Sequence, residues 1–218
     1  MVKLCKSELP DGITIKSPDD YQTGAVFQIL NEDCYGKCYI CEHIPIPPVV
    51  EHLVAHRGNP DLRFSWHNLF LACSYCNSVK NSAEFYDGII NPTKTDPEDI
   101  FTLELSFGGL KEKVIVKIIN QAENNELVNK TVKLLNLVYN NSSVRDNKKV
   151  SSANLKNRLS RNLRDFYILI SNYKAERDDV NYSNIIDELS RKSEFAAFKR
   201  MIVRSDPELC NIFKKALL

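Results

Sequence analysis

The sequence predicts a chain of the α+β class, on three observations. Short β-branched and aromatic runs bounded by Pro, Gly and Asn fill much of its first half. The pattern then changes to helical periodicity in the second half, and two Cys-x2-Cys pairs stand apart from both. With 218 residues, 43% of them hydrophobic, the chain can bury the core of one large domain, or of a small domain with an extension.

Taken in order, Ser17, Pro18 and Asp20 read as a helix start: a capping hydroxyl, a proline in the first turn and an acid at the positive end. Tyr21, Ala25 and Ile29 share one face, which predicts a helix to about Glu32. The segment CYGKCYICE (34–42) reads as a compact turn. PPVVEHLV (47–54) is expected to be extended, because its prolines disfavour helix and its valines suit a strand. HRGNPDLRFSWH (56–67) reads as a loop, NLFLA (68–72) as a second strand, and a helix is expected to open near Ser74.

IINPTKTDPEDI (89–100) is rich in turn residues. FTLELSFGGLKEKVIVKII (101–119) reads as a hairpin around Gly108-Gly109. Leu127, Thr131, Leu134, Leu135 and Val138 form one helical stripe; Leu155, Leu159, Leu163, Phe166 and Ile170 form another. NNSSVRDNKKVSS (140–152) is expected to be a loop between them. Two further helices are expected over 183–204 and 206–218, the last opened by a capping box from Ser205 and Glu208 with Pro207 between.

Net charge is +1, so no global positive field marks a nucleic-acid binder. The charge is uneven: Lys and Arg outnumber Asp and Glu by 16 to 10 from Ser142 onward, and fall short by 13 to 18 before it. Such a basic half could touch phosphates, but a solvated helix face is the commoner explanation. The opening MVKLCKSELPDG has no signal-peptide pattern, and no run of about 18 apolar residues exists to span a membrane. Seven cysteines, an odd number, do not suit a secreted disulfide framework. A cytoplasmic location follows as the expectation.

Cys38-x2-Cys41 and Cys73-x2-Cys76 are matching pairs. Two such knuckles supply four thiolates, a tetrahedron for structural Zn²⁺ with no open coordination position. A dithiol redox site is the competing reading, and it fits the paired spacing poorly. Cys5, Cys34 and Cys210 lack metal-ligand spacing.

Between and beside the knuckles stand Glu51-His52, Asn68, and Asn77 directly behind Cys76, with Lys80 three positions on. The run CYIC…VVEHLVAH…WHNLFLACSYCNSVK resembles the HNH endonucleases of the zinc-knuckle type, over roughly residues 38–81. The resemblance implies a ββα-metal core with a four-cysteine zinc site, preceded by an N-terminal helix and followed by a β-hairpin and a helical C-terminal part. It divides the chain into a nuclease domain over 1–100 and a hairpin-plus-helix region over 101–218. It further implies that His52 is the general base, Asn68 the residue fixing the loop around its imidazole, and Glu51 and Asn77 the ligands of a catalytic Mg²⁺. Lys80 would be a point charge near the phosphate, and His56 an additional ligand or phosphate contact. Glu51 stands where the family usually has Asp, and Ala55 where it often has Pro.

Further similarity, in GKCYICE, EHLVAH, WHNLFLACSYCN and NPTKTDPEDI in that order, is to the PtuB subfamily. Its members are nuclease effectors of anti-phage defence systems, which implies DNA as substrate and a PtuA-type ATPase as partner. The competing reading from a different class is a zinc-organised nucleic-acid-binding or adaptor module without catalysis.

Overall fold

The structure, a computed structural model, describes residues 1–45, 47–106, 112–119, 125–142 and 147–218. It is α+β, with two small antiparallel hairpins and helices before, between and after them. The N-terminal helix is two helices: α1 (Pro18–Gln22) and α2 (Gly24–Asp33). Asp20 accepts the Ser17 N–H at 2.8 Å, as the helix-start pattern predicts. The break falls at Thr23, which is extended (φ −139°, ψ 172°), and Gly24 opens α2 at a φ of +68° that favours glycine. The apolar spacing continues across it, so the periodicity alone could not reveal the break.

The first hairpin pairs β1 (Val49–His52) with β2 (Leu69–Ala72), His52 opposite Leu69 and Glu51 opposite Phe70. The connection contains a short helix, α3 (Pro60–Arg63), capped by the Asn59 side chain, and a 3-10 turn over Trp66–Asn68. All four β2 residues are buried. Immediately after β2 comes α4 (Ser74–Lys80), which packs on β1 and on the later helix α5. Gly88, at φ +92°, lets the chain return against β1: a Cβ there would sit 3.0 Å from the Leu53 carbonyl oxygen and 3.2 Å from a Val54 methyl.

The second hairpin, as expected, pairs β3 (Phe101–Ser106) with β4 (Lys113–Ile118), Phe101 opposite Ile118 and Ser106 opposite Lys113; the turn expected at Gly108-Gly109 lies outside the described residues. α5 (Glu126–Asn140) and α6 (Asn147–Ala175) carry the two stripes. Thr131, Leu134, Leu135 and Val138 are buried, as are Leu155, Leu159, Leu163, Phe166 and Ile170; Leu127 remains largely exposed. The expected 140–152 loop is shorter, because α6 is already formed at Asn147; residues 143–146 lie outside the described residues.

Where two C-terminal helices were expected there are three, α7 (Asp179–Leu189), α8 (Ala196–Ser205) and α9 (Pro207–Ile212). The segment 190–195 turns instead of continuing, and Phe195 takes a left-handed φ of +54° while fully buried. The cap of α9 is Asp206, which accepts from the Glu208 and Leu209 N–H groups, while the Ser205 hydroxyl donates to Ile202. A carboxylate is an N-cap of equal rank and stands one residue closer, so it displaces the expected capping box.

The larger core holds residues from both sides of position 100, from Met1 through β2 and α5 to Phe198. A smaller core joins α6, α7, α8 and α9 around Phe166, Ile185 and Phe213. Arg200 is buried beside it. Its Nε donates to both Glu98 oxygens at 2.8 and 2.9 Å, and its remaining nitrogens donate to the carbonyls of Leu189, Ala216 and Leu217. No helix among the described residues is long and apolar enough to cross a membrane.

Candidate functional site

The four paired cysteines come together. The Sγ atoms of Cys38, Cys41, Cys73 and Cys76 all lie within 4.8 Å of one another, and all four residues are buried. The first pair sits in a tight turn closed by Glu42 N–H to the Cys38 carbonyl and Cys38 N–H to the His43 carbonyl, both 2.8 Å. The second pair opens α4, where Cys73 Sγ accepts the Cys76 N–H at 3.3 Å. Tyr39 N–H donates to the Leu71 carbonyl and so fastens the first knuckle to β2. Burial pushes the Cys41 and Cys76 thiols well up, while hydrogen bonds from Cys38, Cys41 and Cys76 pull Cys73 far down. Four sulfurs crowded this way compete for protons, and a divalent ion bound by thiolates relieves that competition. The donor set fits structural Zn²⁺: four thiolates, no carboxylate and little solvent access.

Behind the knuckles, β1, α4 and the segment around Phe85-Tyr86 border a cleft of about 360 Å³, lined by Glu51, His52, His56, Arg57, Asn77 and Lys80 among others. His52 ends β1. Its Nε2 lies 2.9 Å from the Arg63 carbonyl oxygen, which can only accept, so Nε2 carries the proton and the neutral ring's lone pair is on Nδ1. Burial lowers the His52 pKa, and the nearby His56, Lys80 and Arg63 charges act in the same direction, against the Arg63 hydrogen bond. The ring therefore stays neutral, with a free lone pair, at and below neutral pH.

Asn68 makes three bonds of 2.9 Å: Oδ1 accepts the Val54 N–H, and Nδ2 donates to the carbonyls of Val54 and Leu62. It thereby ties the residues following His52 to α3, whose last residue, Arg63, supplies the carbonyl on His52. His56 stands beside His52, ring centroids 4.9 Å apart, and its Nδ1 accepts the Gly58 N–H at 3.2 Å. Arg57 holds a left-handed φ of +47° and sets its guanidinium 5.7 Å from the Tyr86 ring centre.

Glu51 faces inward. Its Oε1 is 2.7 Å from the Lys80 ammonium and its Oε2 is 2.7 Å from the Tyr39 hydroxyl. Lys80 also donates to the His52 carbonyl at 2.8 Å. Burial pushes the Glu51 carboxyl up, opposed by Lys80 and then Tyr39. Asn77 lines the cleft, and so does Asn81, four residues further along. His43 pairs with Glu194 at 2.5 Å, His67 is exposed, and buried Trp66 donates to the Ser7 carbonyl.

Asn81, Tyr86 and Tyr39 escaped the sequence reading. Asn81 is one helical turn beyond Asn77, a spacing that could have pointed to it. Tyr86 reaches the cleft through a turn with no local signal, and Tyr39 reads as a knuckle filler until its hydroxyl is seen on Glu51. Comparison with protein-family models, with curated proteins and with solved structures returned no match to this chain.

Proposed function

We propose that this chain is an HNH-type endonuclease that hydrolyses DNA phosphodiester bonds, with β1, β2 and α4 as its ββα unit and the four cysteines as its structural zinc site. The observation that carries the reading is the state of His52. A neutral imidazole is held by the Arg63 carbonyl on one nitrogen, has its lone pair on the other, and lies in a cleft beside His56, Arg57 and Asn77. An adaptor module has no use for a desolvated base so held.

In this reading His52 Nδ1 takes the proton of the attacking water, a role that suits a group titrating near neutrality. Asn68 keeps the ring in place by fixing both the segment after His52 and the α3 carbonyls. Arg57, exposed at the cleft, meets the phosphate backbone as a guanidinium suited to phosphate oxygens. Helix α4, opened by the second knuckle, carries Asn77 to the cleft that the base also lines.

The family resemblance also implies Mg²⁺ held by Glu51 and Asn77. Asn77 offers an amide oxygen to the cleft, but both Glu51 oxygens are engaged by Lys80 and Tyr39, so the pair does not form the expected shell. No step above passes through the ion. Zinc in the closed four-thiolate site holds structure and leaves the chemistry to the cleft.

As an effector of the PtuB kind, the chain would act with a PtuA-type ATPase, for which the C-terminal helices offer a docking surface. The test is plasmid DNA incubated with the purified zinc-loaded chain, with and without Mg²⁺, alone and with that ATPase subunit. Nicked or linear product in any arm supports the nuclease. DNA bound in every arm and cut in none favours the adaptor reading.

A further inference from the structure

Glu51 is where the cleft departs from the family resemblance, and the departure has a chemical cause. A buried carboxylate needs a compensating positive charge and hydrogen bonds to replace its water. Glu51 already has both: the Lys80 ammonium on one oxygen and the Tyr39 hydroxyl on the other, each at 2.7 Å. The Lys80 side chain is 3% exposed and that of Glu51 7%, so neither is a loose surface partner. The ammonium's contact with the His52 carbonyl holds it in place from a second side. A divalent ion approaching the same carboxylate would meet like-charge repulsion at contact distance, in a setting with little water to screen it.

We propose that Lys80 is the resident cation of Glu51, and that a divalent ion entering the cleft is held by Asn77, water and the phosphate oxygens of the substrate, without Glu51. The substrate phosphate in this statement rests on the nuclease reading; the Glu51–Lys80 pairing rests on geometry alone. Lys80 is then no phosphate contact. Its place among the cleft residues is that of a buried counter-charge joining α4 to β1.

The experiment uses Mn²⁺ as the probe, its binding to the zinc-loaded full chain followed by electron paramagnetic resonance without DNA. Three proteins are compared: wild type, Lys80→Met, and the double variant Glu51→Gln/Lys80→Met. The double variant replaces both charges by neutral groups of similar size, which guards against the folding failure a lone buried charge can cause. The expected result is a double variant that binds Mn²⁺ within about threefold of wild type, and a Lys80→Met chain, its carboxylate freed, that binds about tenfold more tightly or better. A double variant that keeps its zinc and fold but loses about tenfold or more in Mn²⁺ affinity would overturn the proposal, since Glu51 would then be a ligand in the wild type. Lys80→Met binding no more tightly than the double variant would overturn it as well. If Lys80→Met does not fold, the double variant decides. No DNA is cut here, so the nuclease reading and this one fail separately.

Discussion

At the scale of single residues, His52 and Asn68 make different demands. His52 is half-buried and bonds through one nitrogen, so His52→Ala removes the proposed base with little cost to the fold. Cleavage should fall to background while zinc content and the thermal transition stay near wild type. Burial lowers the His52 pKa, so protonation sets in only below the ordinary histidine value of 6.5. The acidic limb of the cleavage rate against pH should therefore have its midpoint below 6.5, with a plateau above it. A midpoint at or above the ordinary value would contradict the desolvated setting.

Asn68→Ala is the opposite case. It strips partners from the Val54 N–H and from the Val54 and Leu62 carbonyls, and each buried orphan costs about 1–3 kcal/mol. The variant should unfold at lower denaturant concentration and cut more slowly even where it remains folded, as equilibrium unfolding beside single-turnover cleavage would show.

At the scale of elements, the second cysteine pair opens α4 and the first is fastened to β2, so the four-cysteine cluster sets where Asn77 and Lys80 stand. Cys73→Ser removes one thiolate but leaves a hydroxyl oxygen suited to capping α4, so it isolates the loss of the ligand. Because zinc binding energy is folding energy in such sites, the variant should lose its metal and its cooperative unfolding transition. Metal content by atomic emission should be about one zinc per chain in the wild type and well under that in Cys73→Ser.

The elements also mark what could be read in advance. Matched Cys-x2-Cys spacing located four ligands that come within 4.8 Å of one another, because two knuckles need no long-range information beyond the pairing itself. β1, β2, α4 and the second hairpin follow their valines, leucines and turn residues. The breaks at 23–24 and at 190–195 did not show: Thr23 and Ser190 leave the helical region to stop one helix, and Gly24 and Phe195, at positive φ, open the next, none of which apolar spacing reports. The inward turn of Glu51 was hidden too. In a four-residue strand, alternation puts Glu51 and His52 on opposite faces without saying which face is core, and Lys80, expected as a point charge near the phosphate, decides the matter by being buried against Glu51.

At the scale of the whole molecule, the C-terminal half supports the region of the four-cysteine cluster by direct bonds. Lys37 donates to the carbonyls of Arg191 and Ser193, the Glu42 carboxylate accepts the Ala197 N–H, and Tyr139 donates to the Cys41 carbonyl. Arg200 extends this linkage by joining Glu98, just before β3, to three carbonyls near α7 and the last turn. Arg200→Ala would leave Glu98 buried beside a partly exposed Arg204 only, and should cost about 3–5 kcal/mol of stability. Chemical denaturation followed by the Trp66 fluorescence would measure it; a loss under about 1 kcal/mol would show that the linkage is not structural.

The central claim is that His52 acts as a base on a phosphodiester. Chemical rescue tests it most directly: zinc-loaded His52→Ala is incubated with duplex DNA under conditions in which the wild type cuts, with increasing free imidazole. No product is expected without imidazole, and the rate should rise with its concentration as a diffusible base takes the missing side chain's place. A His52→Ala chain that cuts at the wild-type rate, with imidazole making no difference, would contradict it.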